Sequence, residues 1–215
     1  AVTRLQATAA AEHAILDACR ARKYDLVLLA PAGRRGLLRL ILGSRVGTVV
    51  HEAPAPILVA RSATPAIRHI LVGISGSPQS AHDVRLGGVL ARAFGAKITL
   101  AHILSQVPLT YDSLQHIQKQ LEHFLNTADH AAIQLDRARQ LLAEMGLSCE
   151  IALREGLVRD ELLALAKDNH TDLLILGAHT RSSPAGLDYF DDIAEAVSQS
   201  TPVSTPLFVP SPWNS

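Results

Sequence analysis

The feature that most constrains the fold of this chain is an internal repeat. The run Asp25–Ala30, DLVLLA, recurs as Asp172–Gly177, DLLILG, at an offset of 147 residues. The run Pro56–Ala60, PILVA, recurs as Pro206–Pro210, PLFVP, at an offset of 150 residues. A repeat this long indicates duplicated domains, because the repeats of solenoid proteins are only about 20 to 50 residues long.

The two copies differ in how much of the repeat they contain. The second copy opens with the apolar run Ile70–Ser75, whose counterpart in the first copy would precede residue 1. We therefore expect the C-terminal part of a first domain at 1–62, a linker at 63–67 and a complete second domain at 68–215. The sequence leaves open whether the first domain is degenerate or continues upstream.

Apolar runs that alternate with amphipathic segments predict an α/β fold. The predicted strands are 25–30, 57–60, 68–75, 97–103, 148–154, 172–177 and 206–209, and the predicted helices are 5–22, 44–52, 78–94, one within 112–145, 157–170 and 189–199. Strands that are continuously apolar, rather than alternating, are typical of a sheet covered on both faces. The alternation of strands and helices predicts a doubly wound, parallel, five-stranded sheet in the complete copy.

Composition argues against several classes of partner. Twenty Lys and Arg residues balance twenty Asp and Glu residues, so no net charge attracts nucleic acid or an anionic membrane. No apolar run reaches the roughly 18 residues of a membrane span. Cys19 and Cys149 lack CxxC spacing, and we expect packing thiols of a reduced, cytoplasmic protein rather than a disulfide or redox pair.

A glycine-containing loop follows the first predicted strand. Gly33 and Gly43 would allow the backbone to approach phosphate oxygens closely, and Ser44 stands where a helix is predicted to begin. Arg34 and Arg45 add positive charge near that helix N-terminus, which attracts anions. The spacing alone leaves two interpretations open, a phosphate-binding loop and ordinary turn geometry.

This loop resembles the signature of the universal stress protein family, G-x2-G-x9-G-[S/T] after a D-[LIV]3-x-G strand. Gly33, Gly43 and Ser44 match the second glycine, the third glycine and the hydroxyl position, whereas Ala30 replaces the first glycine. The second copy is similar to the family over its whole length, beginning with ILVGISGSP from Ile70. The resemblance implies a Rossmann-like fold of the adenine-nucleotide α-hydrolase type and, in ATP-binding members, a site for ATP or another adenine nucleotide.

The resemblance also implies which residues would form that site in the second copy. In ATP-binding members, an aspartate after the first strand and a small apolar residue after the second hold the adenine, and the signature loop holds the ribose and phosphates. Ser75 stands at the aspartate position, Ile103 stands at the apolar position, and the loop begins with Gly177 and Thr180.

The two copies are expected to differ in phosphate binding. In the second copy, Phe190 and Asp191 stand where the family has glycine and serine, and Asp192 follows them. A bulky side chain and two acids oppose phosphate. The first copy keeps the phosphate half of the site but lacks the strands that would hold adenine, so it is interpreted as a half-site.

The remaining candidates favour no enzyme. His116, His123 and His130 recur every seven residues, which separates neighbours by about 10.5 Å along a helix, too far to share one metal ion. A solvated or interface stripe is expected instead. His179 follows a strand end, where a turn residue and a ligand contact are both open interpretations. No Ser-His-Asp motif, Walker sequence or cluster of metal ligands is recognised.

Three functions follow as hypotheses. The first is a non-catalytic stress or regulatory protein whose final strands, Ile57–Ala60 and Leu207–Val209, pair in a homodimer or as a pseudo-dimer within one chain, as the resemblance implies. A protein partner is compatible with it. The second is a soluble regulatory portion of a larger protein such as a membrane transporter. The third, a nucleotide hydrolase or phosphotransferase, would need a metal-holding carboxylate beside the loop, which the first copy lacks.

Overall fold

The secondary structure follows the predicted order. The computed structural model describes residues 10–29, 49–50, 52–60, 66–75, 79–105, 114–178, 203 and 205–210. The helices are α1 (Ala11–Ala21), α2 (Ser80–Phe94), α3 (Leu114–Glu144) and α4 (Val158–Asp168). The strands are β1 (Val27–Leu29), β2 (Ile57–Val59), β3 (His69–Gly73), β4 (Lys97–Ser105), β5 (Glu150–Gly156), β6 (Leu173–Ala178) and β7 (Thr205–Pro210). The predicted helix 189–199 lies outside the described residues.

The strands form one seven-stranded sheet in the order β1-β2-β7-β6-β3-β4-β5. From β7 to β5 all neighbours are parallel, which confirms the predicted five-stranded, doubly wound sheet. The chain passes from β3 to β4 on one side and from β6 to β7 on the other. The topological switch point therefore lies between β3 and β6, where open α/β sheets bind their ligands.

The two copies join through their final strands. β2 pairs antiparallel with β7, with Ile57 opposite Phe208 and Leu58 opposite Leu207. β1 continues the sheet beyond β2 in parallel orientation. Of the two pairings expected from the sequence, the structure shows the one within a single chain.

Strand side chains alternate between two apolar layers, because successive residues of a strand point to opposite faces. One layer packs α2 and α3 against the sheet and includes Ile70, Val72, Val84, Leu142, Leu173 and Ile175. The other layer packs α1 and α4 against the sheet and includes Leu16, Ile57, Leu71, Leu162, Leu165 and Leu174. The second layer contains residues from both copies, so they share one core.

The amino ends of β3 and β6 are fastened by the aspartate that opens the repeated run. Asp172 Oδ2 accepts hydrogen bonds from the backbone N–H groups of Arg68, at 2.8 Å, and His69, at 3.1 Å. These bonds hold the two central strands together at the edge opposite the switch point. Ligands of open α/β sheets bind at the opposite edge, beyond the carboxyl ends of the strands.

Candidate functional site

Three predicted site residues of the second copy meet at the carboxyl edge of the sheet. Ser75 follows β3, Ile103 lies in the last third of β4, and Gly177 lies near the end of β6. This placement fits a ligand crevice at the switch point. The other predicted site residues lie outside the described residues, namely Ala30, Gly33, Arg34, Gly43, Ser44, Arg45 and Thr180.

The residue at the family's aspartate position carries only a hydroxyl group. Ser75 is half-buried, and its Oγ lies 3.4 Å from Ser80 Oγ, at the first residue of α2. Ile103 is also half-buried. These two side chains offer a polar but uncharged contact and an apolar one, which suits an uncharged planar group.

A buried acid lies beneath this edge, on the first turn of α2. Asp83 is only 2% exposed, and its Oδ1 accepts a hydrogen bond of 3.0 Å from Gln79 Nε2. The same amide group lies 3.4 Å from the carbonyl oxygen of Val209 on β7. Gln79 and Asp83 therefore form a buried polar pair that links α2 to the last strand.

The carboxyl group of Asp83 fills the space beside Gly177. A Cβ atom built on Gly177 would lie 2.7 Å from Asp83 Oδ2, closer than side-chain atoms pack. Burial raises the pKa of Asp83 to about 7, and the hydrogen bond from Gln79 opposes that rise. Asp83 consequently titrates near neutral pH, where an exposed aspartate is fully ionised.

A histidine connects the two strands on the other side of β3. His102 Nδ1 lies 2.6 Å from the carbonyl oxygen of Ile74, so the ring nitrogen donates to it. Burial lowers the pKa of His102, although the bond to Ile74 opposes this change. His102 is thus neutral at neutral pH and holds the backbone just before Ser75.

Asp83, Gln79 and His102 were not predicted as site residues. A signal for Asp83 is present in the sequence: it shares a helix face with Gly87 and Ala91, four and eight residues later, and both are buried. An acid on an apolar helix face indicates a buried carboxyl group. His102 alternates with apolar neighbours in a buried strand and carries no comparable signal.

The sequence also singled out two cysteines and the histidines of α3. Cys19 is buried and Cys149 half-buried, both are free thiols, and burial raises the pKa of each. His130 is exposed on α3, and its Nε2 lies 3.4 Å from Gln134 Nε2. The side chains of His116 and His123, and the whole of His179, lie outside the described residues. Within the described part of the chain, no group of three or more His, Cys, Asp or Glu side chains is placed to hold a metal ion. None of the described helices combines the length and apolar character of a membrane span.

Comparison with known sequences gives a consistent family. The model of the universal stress protein family matches residues 1–61 and 66–207. Universal stress protein Rv2005c of Mycobacterium tuberculosis is 26% identical over 169 residues, which cover 76% of this chain and 55% of the relative. Universal stress protein YxiE of Bacillus subtilis is 27% identical over 114 residues, covering 51% of this chain and 77% of the relative. The chain thus spans about half the length of the mycobacterial relative.

Solved structures share the fold at lower sequence identity. A universal stress protein from Archaeoglobus fulgidus superposes with a TM-score of 0.61 at 14% identity, covering 93% of this chain and 65% of that one. UspA from Lactobacillus plantarum superposes with a TM-score of 0.56 at 18% identity, covering 67% of this chain and 98% of that one.

Proposed function

The chain belongs to the universal stress protein family, and we propose that it is a non-catalytic regulatory protein of the stress response, acting through ligand binding and association. The observation that carries this proposal is the antiparallel pairing of β2 with β7, which joins parts of two copies into one sheet within a single chain. Such a built-in pseudo-dimer places strands of both copies in one sheet. That arrangement suits a binding and regulatory role.

The two crevices differ in their chemistry in this proposal. The loop from Gly33 to Ser44 keeps the phosphate-binding half of the family signature and is the proposed site for the phosphates of an adenine nucleotide. In the second crevice, Ser75 replaces the aspartate and the buried Asp83 lies beside Gly177, which opposes phosphate. The first copy is therefore proposed as the nucleotide-responsive one and the second as degenerate.

Absence of catalysis and a cytoplasmic location belong to the same proposal. The acid beside Gly177, Asp83, is buried and bonded to Gln79, so it is poorly placed to hold a catalytic metal at a ligand phosphate. The free thiols of Cys19 and Cys149 suit a reducing compartment.

Calorimetric titration with ATP and magnesium tests the nucleotide part of the proposal. We expect saturable binding to the wild-type chain at pH 8 and much weaker binding to Gly43→Asp, because the new carboxylate would repel the phosphates. Release of phosphate from ATP is measured in the same samples, and none above background is expected. Equal ATP binding by the two chains would refute the first-copy site, and turnover lost in Gly43→Asp would refute the absence of catalysis.

A further inference from the structure

The carboxyl group of Asp83 lies against the strand end from which the second-copy loop departs. Its Oδ2 is the nearest atom to a Cβ built on Gly177, at 2.7 Å, and Gln79 Cγ follows at 3.1 Å. Gly177 also pairs in register with Val209, whose carbonyl oxygen contacts the Gln79 amide group. The acid thus lies on α2 beside Gly177 of β6 and is linked through Gln79 to β7, near the carboxyl edge of the sheet.

The described surroundings of this carboxyl group include no basic partner. On α2, His82 and Arg85 are exposed, and on α3, which packs against α2, His130, Arg137 and Arg139 are exposed. β3 and β6 have their titratable neighbours, His69 and Asp172, at the opposite, amino edge, and the sequence of β7 contains no titratable residue. His102 on β4 is bonded to the carbonyl of Ile74. The charge of the ionised carboxyl group is therefore uncompensated among these residues.

A phosphate group next to Gly177 would face this charge at short range. Two like charges in a poorly solvated site repel strongly, so phosphate binding would require the carboxyl group to take up a proton. Ser75 and Ile103, by contrast, carry no charge and would tolerate an uncharged base.

We propose that Asp83 sets the charge preference of the second-copy crevice, which accepts an uncharged nucleoside such as adenosine and excludes the phosphates of ATP above neutral pH. The inference rests on the proposed function, from which it takes adenine compounds as the ligand class. Asp83 acts here as a specificity-determining residue through its charge. Proton uptake by Asp83 then accompanies any phosphate that does enter the crevice.

Calorimetry with adenosine and with magnesium-ATP at pH 6 and pH 8 tests this inference. The parent chain carries Gly43→Asp, so that the first-copy loop does not contribute. Because Asp83 titrates at about 7, its ionised fraction changes about tenfold across this interval. We expect the affinity for adenosine to be the same at both pH values, and the affinity for ATP to be about tenfold lower at pH 8.

Two variants of the parent isolate the role of the carboxyl group. Asp83→Asn keeps the shape without the charge, and we expect it to bind ATP at pH 8 as tightly as the parent does at pH 6. Asp160→Asn removes an acid whose side chain is 63% exposed on α4, and we expect it to retain the pH dependence. Circular dichroism establishes that each variant is folded.

Several outcomes would overturn the inference. These are an ATP affinity that depends on pH equally in the parent and in Asp83→Asn, ATP binding absent from both, and a folded parent that does not bind adenosine. A failure of the proposed first-copy site would give a different result, namely equal ATP binding by the wild type and by Gly43→Asp. The second-copy measurement remains interpretable in that case.

Discussion

At the scale of single residues, the buried carboxyl group of Asp83 makes folding stability depend on pH. Burial raises its pKa from 3.8 to about 7, so between these values the folded chain holds a proton that the unfolded chain has released. The extra proton held by the folded chain contributes fully to the free energy of unfolding below about pH 4. This contribution is lost as pH rises from 4 through 7, and the total loss is about 4 kcal/mol at most. We expect Asp83→Asn to be more stable than the wild type at pH 8 in urea denaturation.

The same variant should also have a flatter stability profile between pH 5 and pH 8. Asp160→Asn serves as the control, because its side chain is mostly exposed and its loss should leave the wild-type pH dependence in place. If Asp83→Asn were instead less stable than the wild type at pH 8, the carboxylate would be stabilised by a contact outside the described residues.

Gly177 is required at its position because Asp83 occupies the adjacent space. Gly177→Ala would place a Cβ 2.7 Å from Asp83 Oδ2, and we expect a loss of about 1–3 kcal/mol in the free energy of unfolding. Removing the obstacle in the Gly177→Ala, Asp83→Ala double variant should make the two effects less than additive. Urea denaturation of the four chains of this cycle measures the coupling.

Gly88→Ala is a matched control for that experiment. Its Cβ would also meet an atom at 2.7 Å, but this atom is the terminal Cε of Met145, a flexible side chain that can move. We therefore expect Gly88→Ala to cost less than Gly177→Ala. The reverse order would show that the buried Gln79–Asp83 pair is the more adaptable neighbour.

At the scale of secondary-structure elements, β2 is short but central to the packing. Ile57 is 1% exposed in the layer shared by both copies, so Ile57→Ala should lower the free energy of unfolding by about 2–5 kcal/mol. Leu28 on the neighbouring β1 is 59% exposed, and Leu28→Ala should cost about 0.5 kcal/mol or less. Similar costs for the two variants in urea denaturation would contradict the position of β2 in the core.

Most elements were predictable from the sequence because hydrophobic periodicity reflects burial against neighbours. The repeated runs also show where this relation ends. Both DLVLLA and DLLILG predicted strands covered on two faces, and Leu174 of the second run is fully buried. Leu26 and Leu28 of the first run are 45% and 59% exposed. An apolar run predicts a strand, whereas the burial of that strand depends on elements distant in sequence that pack against it.

The site was less predictable than the fold for a related reason. Family positions selected Ser75, Ile103 and Gly177 as candidates, and the structure places these three residues at or near the carboxyl ends of strands that the periodicity already predicts. The carboxyl group of Asp83 reaches Gly177 across 94 residues of sequence, through the packing of α2 on β6. The helical pattern indicates that Asp83 is buried, but it does not encode this distance, so the contact with Gly177 is evident only in three dimensions.

At the scale of the whole molecule, the two copies are held together by packing as well as by the chain between them. Leu16 and Ile57 from the first copy belong to the same hydrophobic cluster as Leu71 and Leu174 from the second. The backbone pairing of β2 with β7 adds directional hydrogen bonds to this contact. Residues of both copies thus contribute to one buried cluster.

This shared core predicts that the chain stays assembled when the predicted linker is cut. With a protease site inserted after Ala63, the two fragments should elute together on size-exclusion chromatography after cleavage. The small first fragment contributes too little apolar surface to fold alone, so its folded state depends on the second fragment. Ile57→Lys in the cleavable chain should release the fragments, since a buried lysine without a partner is costly. Separation of the wild-type fragments, with the larger one still folded, would mean that the linker rather than the shared core maintains the pseudo-dimer.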